Sequence, residues 1–531
     1  MKRILLVILF TISVCSVSAG DSYKRNPLID VLNYSFQISI SDTSDIIYGK
    51  TAISLSFKGE VSTMEFDLKN LKPDGNGMIV DSLIFSECKV QWSHRDDKIM
   101  VTPERVLSSC SGATLKIIYH GTPSDGLIIS ENKYKNRSFF SDNWPDRASN
   151  YIPCIDHPYD KASVEFIIIS PSHYEIVASG YLVEESHLPG GMKLTHWKEE
   201  IPLATKVMAF GAADFDIRLA GVTDGIPVWT YVFKENREDG FYDYSAGVKP
   251  VTFFGQLIGS YPYEKLANVQ SKTIFGGLEN ASCIFYSENS VTGNGKDEGL
   301  MTHEIAHQWF GNSVTESDWH HIWLSEGFAT YLTSVYMEMN YGKDSLARKM
   351  KSDREKVIRY YLRSLRPVID TTVTNLMRLL SPNSYQKGAW VLHMLRHELG
   401  DDLFWKGIKL YYEKYRNKNA MTDDFESVME EVSGKDLGTF FYQWLYTAGQ
   451  PDLKITSGPS MKRGMTDIII EQKQSYLFRF PLELLINSQE GEYRKRIQIF
   501  DRVTKLKVKA GKVNEIIPDP DIKLLFRQLA E

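Results

Sequence analysis

The sequence predicts an α+β chain of several domains: a β domain, a mostly helical domain and a second, smaller β domain. Two observations predict this. First, 531 residues with 43% hydrophobic and 12% aromatic side chains suffice to bury several cores, which excludes a mainly disordered chain. Second, the hydrophobic period is close to two through the first third, becomes helical from about residue 251, and returns to two after Gly449-Gln450-Pro451. No internal repeat interrupts that order. Lys+Arg 61 against Asp+Glu 67 gives a net charge of -6 without any basic run, so a nucleic-acid partner is not expected.

The N-terminus reads as an address. Lys2 and Arg3 precede an apolar run over 4–14 and the small residues Val17-Ser18-Ala19-Gly20, the pattern of a leader cleaved after Ala19. The expected compartment is therefore secreted or periplasmic, with lipid attachment through Cys15 as an alternative. No later run approaches the roughly 20 apolar residues of a membrane-spanning helix. Residues 20–217 form the expected N-terminal β domain, with alternating runs such as Tyr34-Ser-Phe-Gln-Ile-Ser-Ile40 and turns such as Asp74-Gly75-Asn76-Gly77. Residues 218–447 form the helical domain, with helical periods over 297–310, 322–339, 345–363, 386–399 and 423–433. Strand patterns over 453–456, 467–472 and 494–500 place a small β unit in 448–531. Cys88, Cys110, Cys154 and Cys283 contain no CxxC pair. Cys88 and Cys110 read equally as a disulfide or as buried thiols, Cys154 and Cys283 as buried thiols.

The chemistry concentrates in His303-Glu304-Ile305-Ala306-His307, within a helical pattern ending at Gly311. Spacing i, i+4 sets both imidazoles on one helical face, the reach two ligands need to share one zinc ion, with Glu304 beside a water at that ion. With 12 His in 531 residues, chance yields only about 0.02 such matches per chain. A catalytic zinc needs a third protein ligand and an open fourth position. Glu326 offers it from a second helix, whose apolar stripe Leu324, Phe328, Tyr331 and Val335 turns it inward.

The run His303-Glu-Ile-Ala-His-Gln-Trp-Phe-Gly-Asn312, followed by Trp323-Leu-Ser-Glu-Gly-Phe-Ala329, resembles the M1 metallopeptidases, the gluzincin family of aminopeptidase N and leukotriene hydrolase. The form expected is short, secreted and bacterial in type. The resemblance implies an N-terminal β saddle or sandwich, a thermolysin-like catalytic domain and a small C-terminal β-sandwich. It further implies one zinc per chain on His303, His307 and Glu326, with Glu304 as general base. Gly276-Gly277-Leu278-Glu279-Asn280 is similar to the exopeptidase motif. Gly276 and Gly277 would let a substrate lie alongside as an added strand, and Glu279 would face its α-ammonium. Tyr385 in Tyr385-Gln-Lys-Gly388 resembles the tyrosine that donates to the oxyanion.

Further matches are Trp144-Pro-Asp-Arg and Tyr151-Ile-Pro-Cys-Ile-Asp-His-Pro158, where the first domain reaches the cleft, and Pro518-Asp-Pro520 near the last strands. The departures also carry expectations. The usual glutamine before the Pro-Cys segment is absent, which makes Asp142 the candidate second amine anchor. Ser325 replaces the usual Asn before the ligand glutamate. His320 and His321 replace a more acidic pair and read as surface residues in preference to ligands. Without the long helical fourth domain of larger members, a more open cleft is expected. The implied function is a zinc-dependent aminopeptidase acting on peptides with a free N-terminus. Competing readings are an epoxide hydrolase of the leukotriene hydrolase type, a metalloendopeptidase, or a non-catalytic peptide-binding module; intact Glu304 argues against the last.

Overall fold

The computed structural model describes residues 21–530; the expected leader and Cys15 lie outside the described residues. The first domain is built on a seven-stranded sheet, with a three-stranded and a four-stranded sheet beside it. At its centre, strand Ile29–Ser39 runs antiparallel to Ile47–Phe57 and parallel to Lys161–Pro171. Its alternation is not uniform: Val31 points inward, and so do Tyr34, Phe36 and Ile38. The change of parity falls at a register shift between Val31 and Asn33, since one extra residue flips every later side chain to the other face. Phe36, Ile38, Ile53 and Leu55 are fully buried, each worth roughly 1.5–3 kcal/mol of apolar burial.

The strand Phe215–Thr223 opens a five-stranded sheet of the central domain and spans the expected 217/218 boundary. This sheet runs from Phe215–Thr223 through Ile226–Phe233, Leu266–Ser271 and Cys283–Ser287 to Gly277–Leu278. The short last strand forms one edge, paired on one side only, to Cys283–Ser287. Helices Glu298–His307 and Trp323–Tyr341 carry the expected zinc ligands. The second is buried on all sides from Trp323 to Tyr336, a core helix rather than an amphipathic surface one.

Helix Gly388–Leu399 crosses it where two glycines meet. A Cβ on Gly327 would lie 2.9 Å from the Gly388 Cα, so any side chain there would drive the helices apart. The turn before Gly388–Leu399, Asn383–Lys387, is π-helical and carries Tyr385. Such single π turns recur at functional sites. Two sheets, of four and three strands, make the C-terminal unit, which begins with strand Asp452–Pro459. Arg354 on helix Lys343–Tyr361 pairs with Asp519, tying this unit to the helices.

Two lysines, Lys206 buried and Lys161 half-buried, fasten the first domain to the central one. Lys206 forms an enclosed ion pair with Glu316. Lys161 donates to the Asn312 and Ser313 carbonyls at 2.9 and 2.7 Å. Cys88, Cys154 and Cys283 are free thiols, the latter two buried. No helix among the described residues is long and apolar enough to cross a membrane.

Candidate active site

His303 and His307 project from one face of their helix, and Glu326 meets them from the next. The two Nε2 atoms lie 3.2 Å apart, and Glu326 Oε2 lies 3.3 Å from each. Ligand atoms about 2.0–2.1 Å from a tetrahedral ion sit roughly 3.3–3.4 Å from one another, so this triangle matches zinc. The chemistry of the donors agrees: Glu326 Oε2 is buried without a hydrogen-bond partner. The His307 Nδ1 lies 3.2 Å from the Phe310 carbonyl and 3.0 Å from Ser325 Oγ. A proton on Nδ1, donated to that carbonyl, turns the Nε2 lone pair toward the ion position. Burial alone would raise the Glu326 carboxyl, but the imidazoles override it and hold it far below the usual carboxylate range. Burial would likewise lower His307, and the Glu326 carboxylate instead lifts it to about 9. For His303, burial, joined by the neighbouring His307, outweighs the Glu326 carboxylate and keeps it below its ordinary value.

Glu304 is 4% exposed and lies against Gly277. A Cβ at residue 277 would come 2.4 Å from Glu304 Oε1 and 2.6 Å from Cγ and Cδ. Any side chain at residue 277 would therefore displace the Glu304 carboxylate from this position. Burial pushes the Glu304 carboxyl upward, aided by Glu279 and Glu326 and opposed by His307. Tyr385 stacks its ring against His303 at 5.9 Å. Burial and the neighbouring carboxylates push its phenol well above the usual value, so the hydroxyl keeps its proton and donates.

Glu279 is 5% exposed, and its Oε1 finds no partner. A buried, unsatisfied carboxylate oxygen costs stability unless a ligand satisfies it. The turn is held through its backbone: Gln308 Nε2 and Asn312 Nδ2 donate to the Glu279 carbonyl at 3.1 and 2.5 Å. Trp144, Phe275, Leu278 and Leu380 complete the walls of a narrow cleft that also contains Gly277, Glu279, Glu304, Tyr385 and the three ligands.

Comparison with known proteins agrees with this arrangement. Residues 242–444 match the peptidase family M1 domain and residues 31–207 the peptidase M1 N-terminal domain. The chain belongs to peptidase family M1. Human glutamyl aminopeptidase is 26% identical over 83% of this chain and 49% of its own length. Human endoplasmic reticulum aminopeptidase 2 is 29% identical over 65% of this chain and 37% of its own length. The chain thus spans half or less of these two curated relatives. The crystal structure of an M1 zinc metallopeptidase from Deinococcus radiodurans superposes with a TM-score of 0.65, covering 78% of this chain and 93% of that one at 22% identity, which shows a shared fold.

Within this M1 chain, Asp142 stands apart from the other expected site residues. It is fully buried, pairs with Arg147, and accepts from Thr273 Oγ1 and the Ile274 N–H at 2.9 and 3.1 Å. Its carboxylate is thereby committed to the stretch that leads into Gly276-Gly277, a supporting role in place of direct amine contact. Gly276 is uncrowded: a Cβ there would meet only Leu300, at 3.9 Å. His320 and His321 are buried, contrary to a surface reading. His320 lies 3.1 Å from Asp318 Oδ1 and 3.0 Å from the Val373 carbonyl, and His321 Nδ1 lies 2.8 Å from Thr422 Oγ1. Both brace the entry to helix Trp323–Tyr341, and neither joins the three-ligand group.

Ser325, a departure from the family pattern, takes over part of the support of His307. Gly311 is confined by that contact: its φ is +121°, and a Cβ would lie 2.3 Å from Ser325 Oγ. The sequence reading assigned no role to Gln308 or Asn312, although both stand inside the quoted motif. The apolar walls Phe275 and Leu380 carried no sequence signal, because each lies in an irregular loop with no periodicity to mark it.

Proposed function

We propose that this M1 chain is a zinc-dependent aminopeptidase that releases the N-terminal residue from peptides. One observation carries the reading: Glu279 presents an unpartnered, buried carboxylate oxygen beside the three-ligand group, where a free α-ammonium would satisfy it. The unpaired edge of Gly277–Leu278 supports it, because an extended peptide can add there as a further strand.

His303, His307 and Glu326 would hold the zinc ion, which when bound would supply a Lewis acid for the scissile carbonyl and make water more acidic. The Glu304 carboxylate takes the proton of the attacking water and returns it to the leaving amine. Tyr385 donates its phenolic proton in a hydrogen bond to the oxygen that gains charge. Glu279 fixes the amine end, so that the first peptide bond is the one presented to Glu304. We also propose export from the cell, on the leader pattern of residues 1–19.

The test is a panel of amino-acid arylamides and their N-acetyl counterparts, with the bound metal quantified. Free-amine substrates should be cleaved and acetylated ones should be poor. Losing one partner of a buried charge pair costs about 2–5 kcal/mol, so Glu279→Ala should lower kcat/KM for free amines by roughly 30-fold or more and narrow the gap to blocked ones. Equal cleavage of free and acetylated substrates by the unmodified protein would remove the aminopeptidase assignment.

A further inference from the structure

The short strand that carries Gly277 ends before Glu279. Gly277 pairs with Tyr286 and Leu278 with Phe285, and the ladder stops there. The carboxylate that would meet the substrate's amine therefore stands on a turn beyond the ladder, residues 279–282. Within that turn Ser282 has φ +61°, a left-handed conformation that residues other than glycine disfavour. The turn needs outside support to keep its shape.

That support comes from the segment that follows the metal-ligand helix. Gln308 succeeds His307 directly, and both Gln308 and Asn312 are fully buried. Gln308 commits its whole amide to the turn. Its Nε2 donates to the Glu279 and Asn280 carbonyls at 3.1 and 3.4 Å, and its Oε1 accepts from the Ser282 N–H at 2.9 Å. Asn312 Nδ2 donates to the same Glu279 carbonyl at 2.5 Å. Asn312 is itself fixed to the ligand helix, because its N–H donates to the His307 carbonyl at 3.1 Å. Both lone pairs of the Glu279 carbonyl thus go to donors rooted beside His307.

The consequence is a fixed length between the amine anchor and the three ligands. In an α-amino substrate the nitrogen lies two bonds from the carbonyl carbon, of about 1.46 and 1.52 Å. A β-amino substrate inserts one more carbon, and a misplacement of about 1 Å at a reacting group costs about 10²-fold in rate. We propose that Gln308 and Asn312 are positioning residues that set this length, so that a single α-amino residue fits between Glu279 and the three-ligand group and a longer one does not. The inference rests on the aminopeptidase reading above. Both residues act through the backbone of Glu279 and not on the substrate.

The test compares the arylamides of L-alanine, β-alanine and N-acetyl-L-alanine on the full chain, with bound zinc and thermal melts measured on each sample. The unmodified protein should show a kcat/KM about 10²-fold higher for the α-amine than for the β-amine. Asn312→Leu removes one hydrogen bond and an amide oxygen, Oδ1, that is buried without a partner, so it should fold and keep its zinc. Gln308→Met keeps the length of the side chain and removes its amide. Each should raise KM for the α-amine and narrow the α-to-β ratio about five- to tenfold, the effect of one or two hydrogen bonds, while the slow N-acetyl substrate stays nearly unchanged. A loss shared equally by all three substrates, or an unchanged ratio in both variants, would reduce the two residues to supports of the fold and overturn the proposal. Equal cleavage of the α- and β-amines by the unmodified protein would overturn it without any variant. In each of these cases a preference for free over acetylated amines would leave the aminopeptidase reading standing, whereas equal cleavage of free and acetylated substrates would remove that reading and this inference with it.

Discussion

Gly277→Ala separates two reasons for having a glycine beside the general base. The Gly277 φ lies outside the left-handed region, so alanine is allowed there by the backbone. The new methyl group would instead stand 2.4 Å from Glu304 Oε1 and 2.6 Å from its Cγ and Cδ. Ordinary contacts between such atoms begin near 3.4 Å, so the carboxylate or the strand must move by about 1 Å. A displacement of that size in a reacting group costs about 10²-fold in rate, or roughly 2.7 kcal/mol of barrier. His303, His307 and Glu326 are not among the three nearest atoms to that methyl group, and the metal content should be unchanged. The assay is steady-state turnover of a good arylamide, with bound zinc measured on the same sample. The expected result is kcat lowered about 10²-fold with little change in KM. If KM rises while kcat stays near normal, the glycine serves the approach of the substrate backbone and the argument from Glu304 is refuted.

Glu304→Gln should keep the metal and lose nearly all turnover, because an amide of equal volume cannot take a proton; Glu326→Ala should lose the metal itself, read by metal analysis of the dialysed protein. Tyr385→Phe should lower kcat by about 10²–10³, the usual cost of one oxyanion donor, and an effect confined to KM would reduce Tyr385 to a wall of the cleft. Lys387 is buried and donates to the Gly449 carbonyl at 2.7 Å, and burial brings its pKa from 10.5 down to about 7. Between those two values the unfolded chain holds the extra proton, so this residue makes stability rise with pH, by up to about 1.4 kcal/mol per unit; below about 7 its cost is fully present. Lys387→Met should remove that slope between pH 7 and 9.5 in denaturant titrations, and an unchanged slope would mean that Lys387 is not the group responsible.

The sequence by itself pointed to the order of domains and to the three side chains, His303, His307 and Glu326, that the structure brings together. Both rest on local periodicity: spacing i, i+4 brings His303 and His307 together on any helix, and alternation marks the strands of the outer domains. Local patterns did not disclose the five-stranded sheet of the central domain. Leu266–Ser271 is buried at all six positions and so shows no alternation. They were equally silent on Asp142, whose place depends on Arg147 and Thr273, and on His320 and His321, polar residues buried because Asp318, Val373 and Thr422 supply their partners. Only the tertiary structure decided that Gly277 makes room for Glu304, that Ser325 supports His307, and that Glu279 is left without a partner. The first two depend on atoms from different segments meeting within about 3 Å, and the third on no donor reaching Glu279 Oε1; packing of the segments sets both, and no local spacing encodes them.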